Sequence, residues 1–167
     1  MKIVPSKVVI WAANAADATR LEEVRRLAFA PVFASFRSLL RESVYNLAQA
    51  REDQAQAGYL ASLLAAGSEW EVYAAERAGI VVGFVSVRFS LDTAIGEIGL
   101  NAVHPDWAGE GIGTDRYRFA IERMRQAGMR VATVSTGGDT SHAPARRAYE
   151  KAGFNVGIPS IWLCRKL

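Results

Sequence analysis

The stretch VHPDWAGEGIG, from Val103 to Gly113, determines how the rest of the chain is interpreted. It follows an apolar run and precedes a segment with helical spacing, which indicates a strand, a loop and a helix. Its three glycines let a ligand approach the main chain without a Cβ in the way. Main-chain N–H groups at the start of a helix favour a phosphate or pyrophosphate. The loop therefore predicts an anion site, with a plain tight turn as the alternative.

Neither common nucleotide-binding motif is present in this loop. The phosphate-loop pattern G-x-x-x-x-G-K-[ST] requires a lysine after its last glycine, but Thr114 follows Gly113. The pattern G-x-G-x-x-G of dinucleotide folds also fails, because the glycine after Gly109 and Gly111 comes one residue early. The anion must therefore belong to another class of ligand.

The composition is that of an ordinary globular chain. Half of the 167 residues are hydrophobic and 22% are charged, which suits one domain with one core. Lys and Arg outnumber Asp and Glu by 20 to 17, and the arginines are scattered, so no nucleic-acid partner is expected. No apolar run approaches the ~18 residues of a membrane span, so no membrane partner is expected.

The cysteine content and the first residues bear on the compartment. Cys164 is the single cysteine and cannot form an internal disulfide, so we expect a cytoplasmic, reducing location and a thiol that is buried and inert. Met1, Lys2 and the apolar residues after them are similar to a secretory signal, but Pro5 and Lys7 leave its apolar core too short. A first strand is the better interpretation of this segment.

The pattern of apolar and turn residues predicts an alternation of strands and helices. The predicted elements are a strand Lys7–Ala13, a helix capped by Asp17 and ended or kinked by Pro31, a helical region Ser38–Ala66, strands Glu71–Glu76, Ile80–Ser90 and Ile95–Val103, a helix that stops at Gly128, a strand 131–136, a helix Ser141–Ala152 and a strand 161–167. This order predicts a mixed α/β (α+β) fold in one domain, 1–167, with a mostly antiparallel central sheet and helices on both faces.

Three segments together resemble the GNAT family of N-acetyltransferases. VHPDWAGEGIG resembles the acyl-CoA loop of that family, V-x-P followed by [QR]-x-x-G-x-[GA] at the start of a helix. APARRAYEKAGF, residues 143–154, resembles the second signature, an Asn-led helix with A-x-x-x-Y-x-x-x-G-F. AERAGIVVGFVSV resembles a hairpin of the family. The resemblance implies a GNAT-like domain in which 1–67 holds the first strand and acceptor-side helices and 70–167 forms the acyl-CoA-binding core.

The resemblance also implies a ligand and its contacts. Acetyl-CoA would be the co-substrate and no metal would be required. The main-chain groups of Ala102 and Val103 would pair with the pantetheine arm, His142 would contact the ligand, and Tyr149 would lie near the thioester sulfur. The pyrophosphate would be held by main-chain N–H groups of six residues: Gly109, Glu110, Gly111, Ile112, Gly113 and Thr114.

Three positions depart from the family pattern. Ala108 stands at the Gln/Arg position, Glu110 at a position that is often basic, and His142 at the position of the leading Asn. An acidic group near a pyrophosphate costs on the order of 1 kcal/mol in wet surroundings. Several main-chain hydrogen bonds to a charged acceptor, each worth ~1.5–3 kcal/mol, should outweigh that cost. We therefore expect a surviving site with weaker or altered affinity.

Acyl transfer needs a base for the amine and an acid for the leaving thiolate. Glu97 is the candidate base, since alternation along its strand places it on one face with Gly99 and Asn101. A solvent-facing charge is the alternative for this residue. Tyr149 is the candidate acid, and a packed aromatic is its alternative. His104, beside Pro105, is expected to be structural.

The sequence leaves the acceptor and part of the function open. Six aromatic residues line an apolar pocket or form a helical core: Trp11, Phe29, Phe33, Phe36, Tyr45 and Trp70. Three acidic residues attract a cationic amine or form a solvated helix face: Glu42, Glu52 and Asp53. The expected activity is transfer of an acetyl group to a small-molecule or peptide amine. The alternatives are a catalytically silent acyl-CoA sensor or partner domain and a binder of another anion, and a homodimer is one expected assembly.

Overall fold

The computed structural model describes residues 7–167, so the start of the signal-like pattern, 1–6, lies outside the described residues. The elements are β1 Val9–Ala12, α1 Ala18–Ala48, α2 Ala50–Leu63, β2 Trp70–Arg77, β3 Ile80–Ser90, β4 Ile95–Val103, α3 Ile112–Gln126, β5 Val131–Val134 and α4 Ala143–Lys151. Within this described part of the chain, no helix is long and apolar enough to cross a membrane.

The five strands form one sheet in the order β1-β2-β3-β4-β5. The first three pairings are antiparallel and β4 pairs with β5 in parallel, which confirms the predicted mixed sheet. The β2–β3 turn uses Ala78 and Gly79, both with positive φ, 53° and 79°. A two-residue hairpin loop favours that backbone conformation, because it matches the twist of the flanking strands.

Helices cover both faces of the sheet, as predicted. On one face, α1 and α2 pack through an apolar cluster: Leu21, Val24, Leu60, Leu63, Val72, Ala74, Phe84 and Ala102. On the other face, α3 and α4 pack through a second cluster: Tyr73, Val85, Val87, Ile98, Tyr117, Ala120, Met124 and Tyr149. We call these the α1/α2 layer and the α3/α4 layer. Loss of either layer would expose a full face of the sheet to water.

The first helix continues through Pro31, where the sequence predicted an end or a kink. The non-helical residue lies ten positions later, at Arg41 (φ 59°, ψ 152°). Contacts on both sides of Pro31 hold the helix, since the rings of Phe29 and Phe33 lie 6.0 Å apart and Ser35 bonds to the distant Asp139. Tertiary contacts of this kind override the one hydrogen bond that a proline removes.

The predicted last strand, 161–167, is wrong. Residues after α4 form no helix or strand, and Ile161 and Leu163 are each 84% exposed. Cys164 is likewise exposed rather than buried in a strand. A strand forms only where it finds a hydrogen-bonding neighbour and a surface for its apolar side chains. The β-like composition of this segment meets neither among residues 7–167.

Candidate active site

Gly109 and Gly111 are required by the backbone conformation of the loop and not by a lack of room for a side chain. Gly109 and Gly111 have φ of +82° and +85°, in the left-handed region, and a Cβ at either position would meet no atom within 4 Å. Another L-residue there costs roughly 1–2 kcal/mol of strain. The two glycines therefore turn the chain sharply from the end of β4 into α3.

No side chain caps the start of α3. Gly111 is the N-cap and makes no side-chain hydrogen bond, and the first bond closed within the helix runs from Asp115 N to Gly111 O at 3.0 Å. The N–H groups of Ile112, Gly113 and Thr114 therefore lack a partner within the helix. Three uncapped N–H groups on the positive end of a 15-residue helix form an anion-binding terminus.

The start of α3 lies beside α4 and the end of β4. A Cβ on Gly113 would stand 3.6 Å from Ala148 Cβ and 4.0 Å from Val103 Cγ2, which are ordinary contacts. The two sequence signatures, 103–113 and 143–154, therefore meet at one point in the fold.

The acidic residues of the loop are paired with arginines. Glu110 bonds to Arg77 of β2 at 2.5 Å, and Arg77 also lies 5.9 Å from the Trp107 ring. Asp115 lies 3.6 Å from Arg118 one turn further along α3. The repulsion expected between Glu110 and an anion is thus partly offset by Arg77. Sequence analysis missed Arg77 because nothing in the sequence signals a pairing across 33 residues.

An extra residue in β4 changes which of its side chains share a face. Asn101 lies opposite Val85 and Ile98 opposite Val87, so β4 carries one residue more than β3 between these pairs. The bulge shifts the alternation of side chains by one position. The prediction that Glu97 and Asn101 share a face is therefore wrong.

The two parts of β4 face different helix layers. A Cβ on Gly99 would overlap the ring of Trp70, which packs against the α1/α2 layer, and Glu97 shares that face by alternation. Beyond the bulge, Asn101 hydrogen-bonds to Tyr117 of α3. The candidate base and the asparagine therefore lie on opposite sides of the sheet.

The outer edge of β4 is open beyond the bulge. Pairing with β5 ends at Ile98, whereas β4 continues to Val103. His104 N donates to Val82 O at 2.7 Å, and main-chain polar groups alternate in direction along a strand. The groups of Ala102 therefore face β3, whereas those of Asn101 and Val103 face the open edge. The pantetheine contacts of Ala102 and Val103 stay predictions, and of these two residues Val103 is the one whose main-chain groups face the open edge.

Tyr149 is placed at this edge by α4 and by the α3/α4 layer. It is 6% exposed, and its ring centroid lies 4.5 Å from that of Tyr117. Asn101 Nδ2 donates to Tyr149 Oη at 3.2 Å, and Tyr117 Oη donates to Asn101 Oδ1 at 2.7 Å. Burial raises the pKa of Tyr117 well above its usual range. Tyr149 is therefore a packed aromatic side chain whose hydroxyl group also makes a hydrogen bond.

Glu97 forms an ion pair with Arg88 of β3, whose Nη2 lies 2.5 Å from Oε2. Its side chain is 41% exposed and lines an open cavity of about 750 Å³ at the β3–β4 end of the sheet. Glu69, at 3.8 Å from the same guanidinium, lies at the rim. The bond to Arg88 uses Oε2 of Glu97, so Oε1 is left to contact water or an amine.

His142 is fixed by a carboxylate at the start of α4. Its Nδ1 lies 2.5 Å from Asp139 Oδ1, and its ring stacks on Phe36 at 5.8 Å. Burial alone raises the pKa of Asp139, but hydrogen bonds from Ser141, Ser35 and His142 together hold that pKa well below its usual range. Only Nε2 of His142 is left for a ligand, so its predicted ligand contact stays a prediction.

The remaining candidates have structural surroundings. His104 Nδ1 accepts from Asp106 N at 3.2 Å and caps a short turn. Asp53 is 6% exposed and accepts from Tyr45 and Gln49, so it is not part of a solvated face. Within residues 7–167, no group of three or more His, Cys, Asp and Glu side chains is arranged to hold a metal ion.

Comparisons with known proteins agree with this geometry. The model of the acetyltransferase (GNAT) family matches residues 33–154. Among curated proteins, none matches this chain in sequence.

Solved structures share the fold. A GNAT-family protein from Desulfovibrio desulfuricans superposes with a TM-score of 0.67 at 20% identity, covering 91% of this chain and 87% of that one. A GNAT acetyltransferase from Brucella melitensis in complex with acetyl-CoA gives 0.63 at 23% identity, covering 90% and 84%. The aminoglycoside N-acetyltransferase AAC(6')-Iy in complex with CoA gives 0.64 at 13% identity, covering 100% of both chains. With its loop, its second signature and its sheet in place, the chain belongs to the GNAT acetyltransferase family.

Proposed function

We propose that this protein transfers an acetyl group from acetyl-CoA to an amine by direct attack in a ternary complex. The observation that carries the proposal is the convergence of the uncapped start of α3, the open edge of β4 and the Tyr149 hydroxyl. Membership of the GNAT family supports the donor, since the similar protein from Brucella melitensis was solved with acetyl-CoA. The exposed, unpaired Cys164 suits the reducing cytoplasm.

The donor would be held mainly by the main chain. The pyrophosphate would accept hydrogen bonds from the N–H groups of residues 109–114, each worth ~1.5–3 kcal/mol for a charged acceptor. The pantetheine arm would lie along the open edge of β4, where it replaces the missing neighbour strand at Asn101 and Val103. His142 lies at the start of α4, and its Nε2 is left to add a contact to the ligand because Nδ1 is bonded to Asp139. Glu110 repels less because Arg77 is bonded to it.

The reaction then needs a base for the amine and an acid for the thiolate. Glu97, directly or through water, takes a proton from the ammonium, and the amine nitrogen attacks the thioester carbonyl carbon. The nitrogen gives up its second proton to solvent as the carbon–sulfur bond breaks, and Tyr149 donates its proton to the thiolate that leaves and takes a new proton from solvent. Glu97 faces the α1/α2 layer and Tyr149 the α3/α4 layer, so the amine would approach from one face and the sulfur would be protonated from the other.

Two measurements test this proposal. The first is thermal stabilisation of the protein by acetyl-CoA and by CoA. The second is release of free thiol from acetyl-CoA with a panel of amines, aminoglycosides and N-terminal peptides. No stabilisation at millimolar acetyl-CoA would refute the donor assignment.

The base is tested by Glu97→Gln, with Glu69→Gln as its matched control. Both carboxylates lie near Arg88, and Glu97 is the proposed base. Loss of a general base lowers the rate roughly 100-fold or more. We expect amine-dependent thiol release at pH 7 to fall by about that factor in Glu97→Gln alone. Unchanged release in this variant would show that another group takes the proton.

The Glu97–Arg88 ion pair favours a second candidate, an acyl-CoA-binding domain without transfer. A carboxylate held by a guanidinium at 2.5 Å can stabilise this end of the sheet without taking part in proton transfer. The same assays separate the two functions. Stabilisation by acetyl-CoA without thiol release for any amine would favour the sensor.

A further inference from the structure

We propose that Asn101, held by Tyr117, is a positioning residue that directs the hydroxyl proton of Tyr149 towards the thioester sulfur. The inference rests on the proposed acetyl transfer, and it concerns how this chain arranges its leaving-group acid. It follows from the direction of three hydrogen bonds around one amide.

The orientation of the Asn101 amide is fixed by its neighbours. Nδ2 lies 2.9 Å from the main-chain oxygen of Gly99, which can only accept, so the NH₂ group must face that side. The other Nδ2 hydrogen points to Tyr149 Oη at 3.2 Å. Oδ1 accepts from Tyr117 Oη at 2.7 Å. Every polar group of this amide therefore has a partner.

Tyr117 fixes the direction of two successive hydrogen bonds, from Tyr117 to Asn101 and from Asn101 to Tyr149. It is 2% exposed, and burial raises its pKa, so its phenol stays protonated and donates to Asn101 Oδ1. The Tyr117 ring lies against that of Tyr149, at 4.5 Å between centroids, and the Arg116 guanidinium lies 5.3 Å from the centroid of the Tyr117 ring. Asn101 Oδ1 has no hydrogen to give, so the phenol of Tyr117 is the donor in this bond.

The consequence falls on Tyr149. Its oxygen accepts from Asn101, so its own proton is not used in that bond. That proton is free to be donated to a group in the open edge of β4. The amide hydrogen also stabilises the negative charge that develops on the oxygen as the proton leaves for the thiolate. Asn101 thus both aims the acid and assists the transfer.

The β4 bulge is what brings Asn101 to this position. Without the extra residue between Ile98 and Asn101, regular alternation would turn Asn101 towards the α1/α2 layer. Bulges re-aim side chains beside active sites in this way. Gly99 is required in the same bulge, because a Cβ there would overlap the ring of Trp70.

The test is a double-mutant cycle with Asn101→Leu, Tyr149→Phe and the combination, measured as kcat and KM for acetyl-CoA in the thiol-release assay. We expect Asn101→Leu to lower kcat about tenfold with KM within about twofold, because the interaction is made with the reacting group. We expect no further loss when it is added to Tyr149→Phe, since Asn101 acts only through Tyr149. Tyr117→Phe, which keeps the ring, should lower kcat by a smaller factor.

Ser86→Ala is the matched control. Ser86 is fully buried and bonds to Leu100 O at 2.9 Å, so Ser86→Ala removes a hydrogen bond to β4 from the α1/α2 side and leaves the three hydrogen bonds of the Asn101 amide in place. It should lower thermal stability without the kcat effect. A tenfold loss from Asn101→Leu that persists in the Tyr149→Phe background, or a kcat unchanged by Asn101→Leu, would overturn the inference. No loss in Tyr149→Phe alone would instead refute the role of Tyr149 in the proposed function.

Discussion

Gly111 and Gly128 form a matched pair that tests the anion site at the start of α3. They lie at opposite ends of this helix, with φ of +85° and +81°, and at neither would an added Cβ meet an atom within 4 Å. Alanine in the left-handed region costs roughly 1–2 kcal/mol at either position. About 1 kcal/mol shifts the Tm of a domain of this size by about 2–4 °C. We therefore expect Gly111→Ala and Gly128→Ala to lower Tm equally, by about 2–8 °C.

Only the change at Gly111 should affect binding. Its Cβ would stand at the N-cap of α3, where the pyrophosphate is proposed to lie. Displacing the anion from one such bond, worth ~1.5–3 kcal/mol, weakens binding by roughly 10-fold to 100-fold. Gly128 lies at the far end of α3, so Gly128→Ala should bind acetyl-CoA as the wild type does.

The assay is isothermal titration with CoA, supported by thermal unfolding at rising acetyl-CoA concentration. Ligand that binds the folded state raises Tm with concentration, and a tenfold weaker Kd moves that curve by about 1.4 kcal/mol at saturating ligand. Equal Kd values for the two variants would refute the reasoning, because they would show that the start of α3 does not hold the pyrophosphate.

Two further predictions concern stability. The pKa of Asp139 is depressed in the folded state, so its stabilising contribution is present above the ordinary value of 3.8 and is lost as the pH falls towards the depressed pKa. We expect Asp139→Asn to be less stable at pH 7 and to lose less stability between pH 4 and pH 2, in urea titrations at each pH; parallel curves for both proteins would contradict this. Arg116 is 1% exposed, with burial lowering its pKa and no carboxylate paired with it in residues 7–167. Replacing a buried charge by an apolar side chain is often neutral or stabilising by ~1–4 kcal/mol, so Arg116→Met should keep or raise the free energy of unfolding, and a clear loss would show that the guanidinium stabilises the fold.

The fold was largely predictable because its signals are local. The turn at Gly79, the alternation through β2, β3 and β4 and the stop at Gly128 each depend on a few neighbouring residues. The predictions of secondary structure failed where contacts between residues far apart in the sequence determine the structure. Pro31 stays inside α1 because of packing on both sides, and 161–167 forms no strand because no neighbour receives it. Local propensity cannot report either condition.

The candidate site was predictable in composition but not in arrangement. Gly109 and Gly111 lie in the strand–loop–helix unit that the sequence indicated, and Tyr149 is hydrogen-bonded to Asn101 of β4, while its place near a thioester stays a prediction. The face of the sheet on which Asn101 lies depends on one extra residue in β4. The alternation of apolar and polar residues along β4 does not reveal that extra residue. The partner of Glu110 comes from another strand, and only the folded chain brings Arg77 there.

The bulge also gives the proposed chemistry its geometry. In acyl transfer the base acts on the incoming nitrogen and the acid on the departing sulfur, so the two groups serve opposite sides of one carbonyl carbon. A regular strand would place Glu97 and Asn101 on one face, and the hydrogen bond that aims Tyr149 would be lost. With the bulge, Glu97 faces the α1/α2 layer while Asn101 meets Tyr149 on the other side. The edge of β4 beyond its pairing with β5 is reached from both faces, and it is there that we propose the thioester lies.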